Sequence, residues 1–203
     1  MTVHRLIGSP LAAIIFLVTA GTVSAQTQKE LLDELGRTIE EAESYVSAKE
    51  VRIKTIENTL HSRGVSPERQ YRIYGELFDE YQPFNYGKAV ETLDKQMEIA
   101  MLLGDKSKLN DVYLKEAMLN TAAGEFLEAR NDLARVDTTI FTKEQEIAYC
   151  NVQQRFWFDY DENQKGADKS MLRKVAYYRE RLLALANPSS SLSRYVTVRK
   201  YID

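Results

Sequence analysis

The segment Gly124-Glu125-Phe126-Leu127-Glu128-Ala129 constrains this chain more than any other. It lies between two amphipathic patterns of helical period, so a glycine turn is followed at once by a chain doubling back as a helix. Gly124 suits the left-handed residue that ends a helix. Ala129 is small enough for two helices to approach closely. Ala89 stands in the matching place of an earlier helix, forty residues before Ala129. A period of that size belongs to stacked helical hairpins. Each such hairpin leaves an apolar face for its neighbour, so the fold that follows is an array.

The other hairpins read the same way. Glu68 to Gln82 carries Tyr71, Tyr74, Leu77, Phe78 and Tyr81, and it ends at Pro83-Phe84-Asn85-Tyr86-Gly87. Its partner carries Ala89, Val90, Leu93, Met97, Ile99, Ala100 and Leu103, and closes at Gly104-Asp105. Leu109 to Ala123, with Val112, Ala117, Met118 and Leu119, is expected to pair with the helix of Ala129, Leu133, Ala134 and Val136. A third, less regular unit pairs Lys143–Tyr160 with Ser170–Ala186. Asn187-Pro188 and three serines then break the chain, and Leu192 to Ile202 opens a further unit. Repeat arrays finish on a polar capping helix, so a chain stopping there reads as truncated.

The amino terminus differs in kind. His4 and Arg5 precede an almost wholly apolar stretch from Pro10 to Val23, and Val23-Ser24-Ala25 supplies the small residues of a cleavage site. This predicts a signal peptide over residues 1–25, cut after Ala25, and an exported, periplasmic protein. An uncleaved anchor is the competing reading, although the apolar run falls short of the roughly 20 residues that span a bilayer. Residues 26–64 form a long amphipathic helix, 65–187 about three hairpins, and 188–203 an incomplete unit. From Leu32 to Leu60 the apolar positions alternate by three and four (Leu32, Leu35, Ile39, Ala42, Val46, Ile53, Ile56, Leu60), interrupted at Lys49. Such a narrow seam suits one partner helix. That partner is either a following helix of the same chain or a second copy, in a coiled-coil dimer through residues 32–60.

These residues carry a resemblance. Met97 to Asp105 followed by Gly124-Glu-Phe-Leu-Glu-Ala129 resembles the tetratricopeptide repeat in a longer-period form. The layout of Leu31-Leu-Asp-Glu-Leu35, Tyr45-Val46, Lys49-Glu-Val-Arg-Ile53 and Tyr74-Gly-Glu-Leu-Phe-Asp-Glu-Tyr81 is similar to the amino-terminal half of exported, membrane-tethered repeat proteins of Bacteroidota. The resemblance implies an all-α, tetratricopeptide-like hairpin array (an α-solenoid) preceded by a long helix. It also implies relatives that continue into a transmembrane helix and a cytoplasmic region labelled a transcriptional regulator. Ala89, Ala117, Gly124, Phe126 and Ala129 are the positions that define the repeat. Asn120 departs from the pattern, standing where a large residue is usual, and predicts a thinner contact between helices.

Catalysis finds no footing in this composition. Without residues 1–25, the 27 Lys and Arg of the chain fall to 26 against 30 Asp and Glu, which is the wrong sign for nucleic acid. His61 and Cys150 are then the only His and Cys, too few for a zinc site and far apart for a nucleophile and its base. Asp159, Asp161 and Asn163 open like a calcium loop, but Gln164 and Ser170 stand where Gly and a bidentate Glu are needed. No metal, cofactor or catalytic residue is expected. The remaining candidates are aromatic. Tyr71, Tyr74, Phe78 and Tyr81 lie along one side of their helix, either lining a groove for an extended peptide or glycan or filling the hairpin core. The expected function is a non-catalytic protein-interaction or sensing module. The alternative is an exported peptide- or carbohydrate-binding accessory protein using an aromatic groove.

Overall fold

The computed structural model describes residues 10–164 and 169–202. Among them the elements are α1 (Pro10–Leu60), α2 (Pro67–Tyr81), α3 (Tyr86–Leu103), α4 (Lys106–Ala123), α5 (Phe126–Arg135), a 3-10 turn (Thr138–Ile140), α6 (Lys143–Asn163), α7 (Lys169–Leu185) and α8 (Ser191–Ile202). This is an all-α array of hairpins, with no strand among the described residues. The basic start at His4 and Arg5, and residues 165–168 of the acidic segment, lie outside the described residues.

The chain divides into two units, Met1–Arg52 and Ile53–Asp203. In the first, Leu32, Leu35 and Val46 of the seam are more than half exposed, as are Leu31, Tyr45 and Val51. The side chains of Ile39 and Ala42 lie outside the described residues. Among the described residues no helix is long and apolar enough to cross a membrane.

In the second unit, the last turns of α1 place Ile53, Ile56 and Leu60 against a core built from α2, α3 and α4. A second cluster joins Cys150, Leu182, Ala186 and Val196 of α6, α7 and the chain beyond. The hairpin turns come from their caps. Gly104 and Gly124 take φ of 62° and 81° and close α3 and α4, a conformation that glycine adopts without steric cost. Asp105 accepts the Lys108 N–H at 3.0 Å, so α4 starts three residues before the expected Leu109. Thr142 and Gln145 form a reciprocal capping box at the start of α6. Val136, expected within α5, is instead its C-cap in extended conformation. Ala89 and Ala129 are each the fourth residue of a return helix, and both are fully buried, like Ala117 on α4. A methyl at those places lets the paired helices meet backbone to backbone.

Buried amides tie the helices together within and between hairpins. Gln96 of α3 donates to the Tyr71 carbonyl at 2.8 Å. Asn110 of α4 both donates to and accepts from the Asp137 backbone, at 2.9 and 2.8 Å. Gln145 of α6 donates to the Ser107 carbonyl at 2.8 Å and to Asp111 at 2.7 Å. Each amide buried this way keeps its partners and fixes the register between the elements it joins more sharply than apolar contact alone.

Candidate functional site

The first helices of the three hairpins, α2, α4 and α6, together form a groove of about 330 Å3. Its buried apolar lining is Phe78, Leu114 and Val152, with Met118 and Ala148 half-buried beside them. Exposed Asp79 and Gln82 and half-buried Asp111 and Asn151 supply its polar groups. Helical spacing explains the set. Asp111, Leu114, Lys115 and Met118 sit at i, i+3, i+4 and i+7 on α4, and Ala148, Asn151 and Val152 repeat that spacing on α6.

Lys115 occupies the middle. Its ammonium lies 5.2 Å over the Phe78 ring and donates to Oε1 of Gln96 at 3.3 Å. Burial pushes this ammonium below the usual lysine range, against the opposing pull of Asp79 and Asp111. The bridge through Gln96 requires Gly75, because a Cβ there would come within 2.9 Å of the Gln96 amide nitrogen.

The four aromatic residues of α2 do not form one platform. Tyr71 and Phe78 border the groove, whereas Tyr74 and Tyr81 border a separate cavity with Glu57, Leu60, His61 and residues of α3. Tyr71, Phe78 and Tyr81 are buried and Tyr74 half-buried. The Tyr71 hydroxyl donates to the Lys108 carbonyl at 3.1 Å. The Tyr81 hydroxyl donates to Glu57 at 2.9 Å, and burial, then that bond, push its phenol up to about 12. Their polar ends are thus committed to the fold.

Aromatic surface collects instead on α6 and α7. Tyr149 stacks edge-on with Tyr178 at 6.1 Å, and Tyr178 with Tyr177 at 5.1 Å. The three consecutive aromatics of α6 diverge as helical geometry demands. Phe156 is buried against Phe126 at 6.0 Å. Trp157 lies under Lys174 at 3.4 Å, and Phe158 faces Arg199 and Arg179 at 4.7 and 5.6 Å. Phe126, read from sequence as a turn marker, is therefore also the ring that docks the third hairpin on the second.

Cys150 is a buried free thiol, raised by desolvation. No group of His, Cys, Asp and Glu among the described residues could hold a metal ion. Leu114, Lys115 and Val152 were not singled out by sequence reasoning, and Met118 only as an apolar position of its helix, yet a signal for them exists. The forty-residue interval of Ala89 and Ala129 carries Tyr71 to Asp111, Gly75 to Lys115 and Phe78 to Met118. The interval between caps Asp105 and Thr142 carries Asp111, Leu114 and Lys115 to Ala148, Asn151 and Val152.

Residues 39–203 match the family model described as the SusR N-terminal TPR domain. No curated protein and no solved structure matches the chain. The matched residues take in α2 through α8, and with them the whole groove. The chain belongs to the family of SusR N-terminal TPR domains.

Proposed function

We propose that this chain is a non-catalytic interaction and sensing module, the envelope-side part of a membrane-tethered regulator, and that its groove takes a protein or peptide partner in extended form. A tetratricopeptide domain is a protein-interaction fold. The observation that carries the rest is the groove across α2, α4 and α6, where an apolar floor is ringed by carboxylates and amides. A floor of this kind holds alternate side chains of an extended chain, while the polar groups meet its backbone. The apolar Pro10–Val23 segment and its small-residue end support export. The test is selection of random ten-residue peptides displayed on phage against the full chain, with the winners titrated by fluorescence anisotropy. Met118→Glu is expected to weaken binding at least tenfold with its helicity intact, and Tyr177→Glu, on an exposed part of α7, to leave it unchanged. Equal binding by a folded Met118→Glu variant rejects the groove.

A second reading, a carbohydrate-binding accessory protein, draws on a different surface. Tyr177, more than half exposed, and Trp157 border a cavity of about 560 Å3 with Gln153, Arg173 and Lys174. Aromatic faces beside hydrogen-bonding side chains suit sugar rings. Trp157 is the single tryptophan, so its emission on titration with soluble oligosaccharides reports directly. An unchanged spectrum at millimolar sugar sets this reading aside.

A further inference from the structure

The heptad seam of α1 divides in two. At its end Ile53, Ile56 and Leu60 pack on the core of the second unit. In the first unit, Leu32, Leu35 and Val46 are more than half exposed. Apolar positions spaced by three and four along one helix are the half of a pair, and the other half is a helix of the same period. With Leu32 at heptad position a, Ile39 and Val46 also fall at a, and Leu35, Ala42 and Lys49 fall at d. Residues 32–49 therefore offer a partner helix an overlap of about 27 Å at 1.5 Å per residue.

We propose that residues 32–49 pair with the same residues of a second copy of this chain, antiparallel and in a single register. In an antiparallel pair, a faces d across the seam, and e faces e and g faces g along its edges. The register that uses the whole stretch sets Leu32 opposite Lys49 of the second copy, Leu35 opposite Val46 and Ile39 opposite Ala42. A twofold axis repeats each layer, so two apolar layers become four, with a Leu32–Lys49 layer at either end. There the lysine stem covers the leucine and the ammonium reaches water. At the centre a large side chain meets a small one, Ile39 against Ala42, which fills the layer without crowding. Along the e edge, exposed Lys29 falls opposite exposed Glu50, and Gly36 opposite Glu43. Opposite charges meet, and no two like charges do. A parallel pair loses these matches. It sets Lys49 against Lys49 inside the seam and Ala42 against Ala42 beside Ile39 against Ile39. The antiparallel register also reads the same from both ends. A second copy supplies that self-complementarity by symmetry, whereas an unrelated helix would have to match it residue by residue. The overlap is short, at the small end of specific interfaces, so the dimer exchanges with monomer. The proposal does not depend on what the groove binds.

The test is disulfide cross-linking of the full chain, joined to sedimentation equilibrium across a concentration series. Leu35→Cys and Val46→Cys are made separately, and Cys150, a buried thiol, is left in place. Under mild oxidation an equal mixture of the two variants is expected to yield at least tenfold more linked dimer than either variant alone. Wild type is expected to sediment as a monomer–dimer equilibrium. Leu35→Glu is expected to weaken that equilibrium at least tenfold with its helicity intact, and Val46→Glu serves if Leu35→Glu loses helicity. Linkage as strong in each variant alone as in the mixture shows a parallel pair and overturns the register. A wild type that stays monomeric throughout, with no linkage in the mixture, overturns the dimer. Association that survives the folded glutamate variant and links nothing comes from another surface, such as the apolar Pro10–Val23 segment, and overturns it as well.

Discussion

Oε2 of Glu116 lies 3.5 Å from Nη1 of Arg135, the same nitrogen that reaches Oδ1 of Asp132 at 3.5 Å. One guanidinium thus serves two carboxylates between α4 and α5, and Oε2 of Glu116 is buried without a hydrogen-bond partner. Burial first, and Asp132 second, push Glu116 up to about 7, and Arg135 offsets this only in part. A carboxyl raised on folding binds its proton more tightly in the native state, so its contribution is full below its ordinary range near 4.5 and is lost as pH rises through 7. After allowance for solvent screening the loss comes to about 2 kcal/mol. Urea unfolding at pH 5 and pH 8 is expected to show wild type losing about that much more than Glu116→Gln. Parallel pH profiles would disprove the assignment.

Asn120 carries the second prediction. The sequence pattern put a large residue there and predicted a thin contact; the structure instead shows a polar link. Asn120 donates to Asp132 at 2.9 Å and accepts from the Tyr86 hydroxyl at 3.0 Å, joining α3, α4 and α5. Restoring the pattern with Asn120→Leu is expected to destabilise by about 1–3 kcal/mol, because it strips a donor from buried Asp132. A gain in melting temperature would show that apolar packing outweighs the link.

The fold was legible because its determinants are local. Gly104 and Gly124 are caps whose residue type announces its geometry, and Ala89 and Ala129 mark close approach at a fixed interval. The groove was far less legible. Tyr71 and Tyr74 look alike in sequence, but one faces α4 and the other faces α1 and α3, and a rotation of one residue decides which. Lys115 reads as part of a wet face until Gly75 and Gln96, forty and nineteen residues away, draw it inward. The groove as a whole takes residues from three helices, so no window of sequence contains it.

The repeat positions themselves predict overpacking. Ala129 has no exposed surface, and nothing in a close-packed interior makes room for three more carbons. Ala129→Leu is expected to cost about 1–3 kcal/mol. Gly124→Ala, at φ of 81°, costs about 1–2 kcal/mol through its left-handed backbone even though no atom lies near the added methyl. Denaturant midpoints separate these effects from Gly124→Asn, expected to retain most of the stability because asparagine tolerates that conformation.

Lys115 tests whether the centre of the groove is kept for recognition rather than for folding. Its native value is lowered by desolvation, so the charged form is disfavoured on folding. Stability is then least where lysine is fully protonated in both states and rises as pH climbs through the lowered native value. Lys115→Met keeps the stem that covers Phe78 and removes the buried charge, but it also leaves Oε1 of Gln96 without this donor. The two changes oppose each other, and the net effect at pH 7 is expected to stay within about 1 kcal/mol. Lys115→Ala, which also loses the stem, should cost about 2 kcal/mol. Peptide affinity is expected to fall at least fivefold in both variants, because each removes the ammonium facing the groove. Chemical denaturation and anisotropy on the same samples decide the matter. If Lys115→Met destabilises as much as Lys115→Ala while binding is unchanged, the ammonium is part of the Gln96 bridge alone and has no role in recognition.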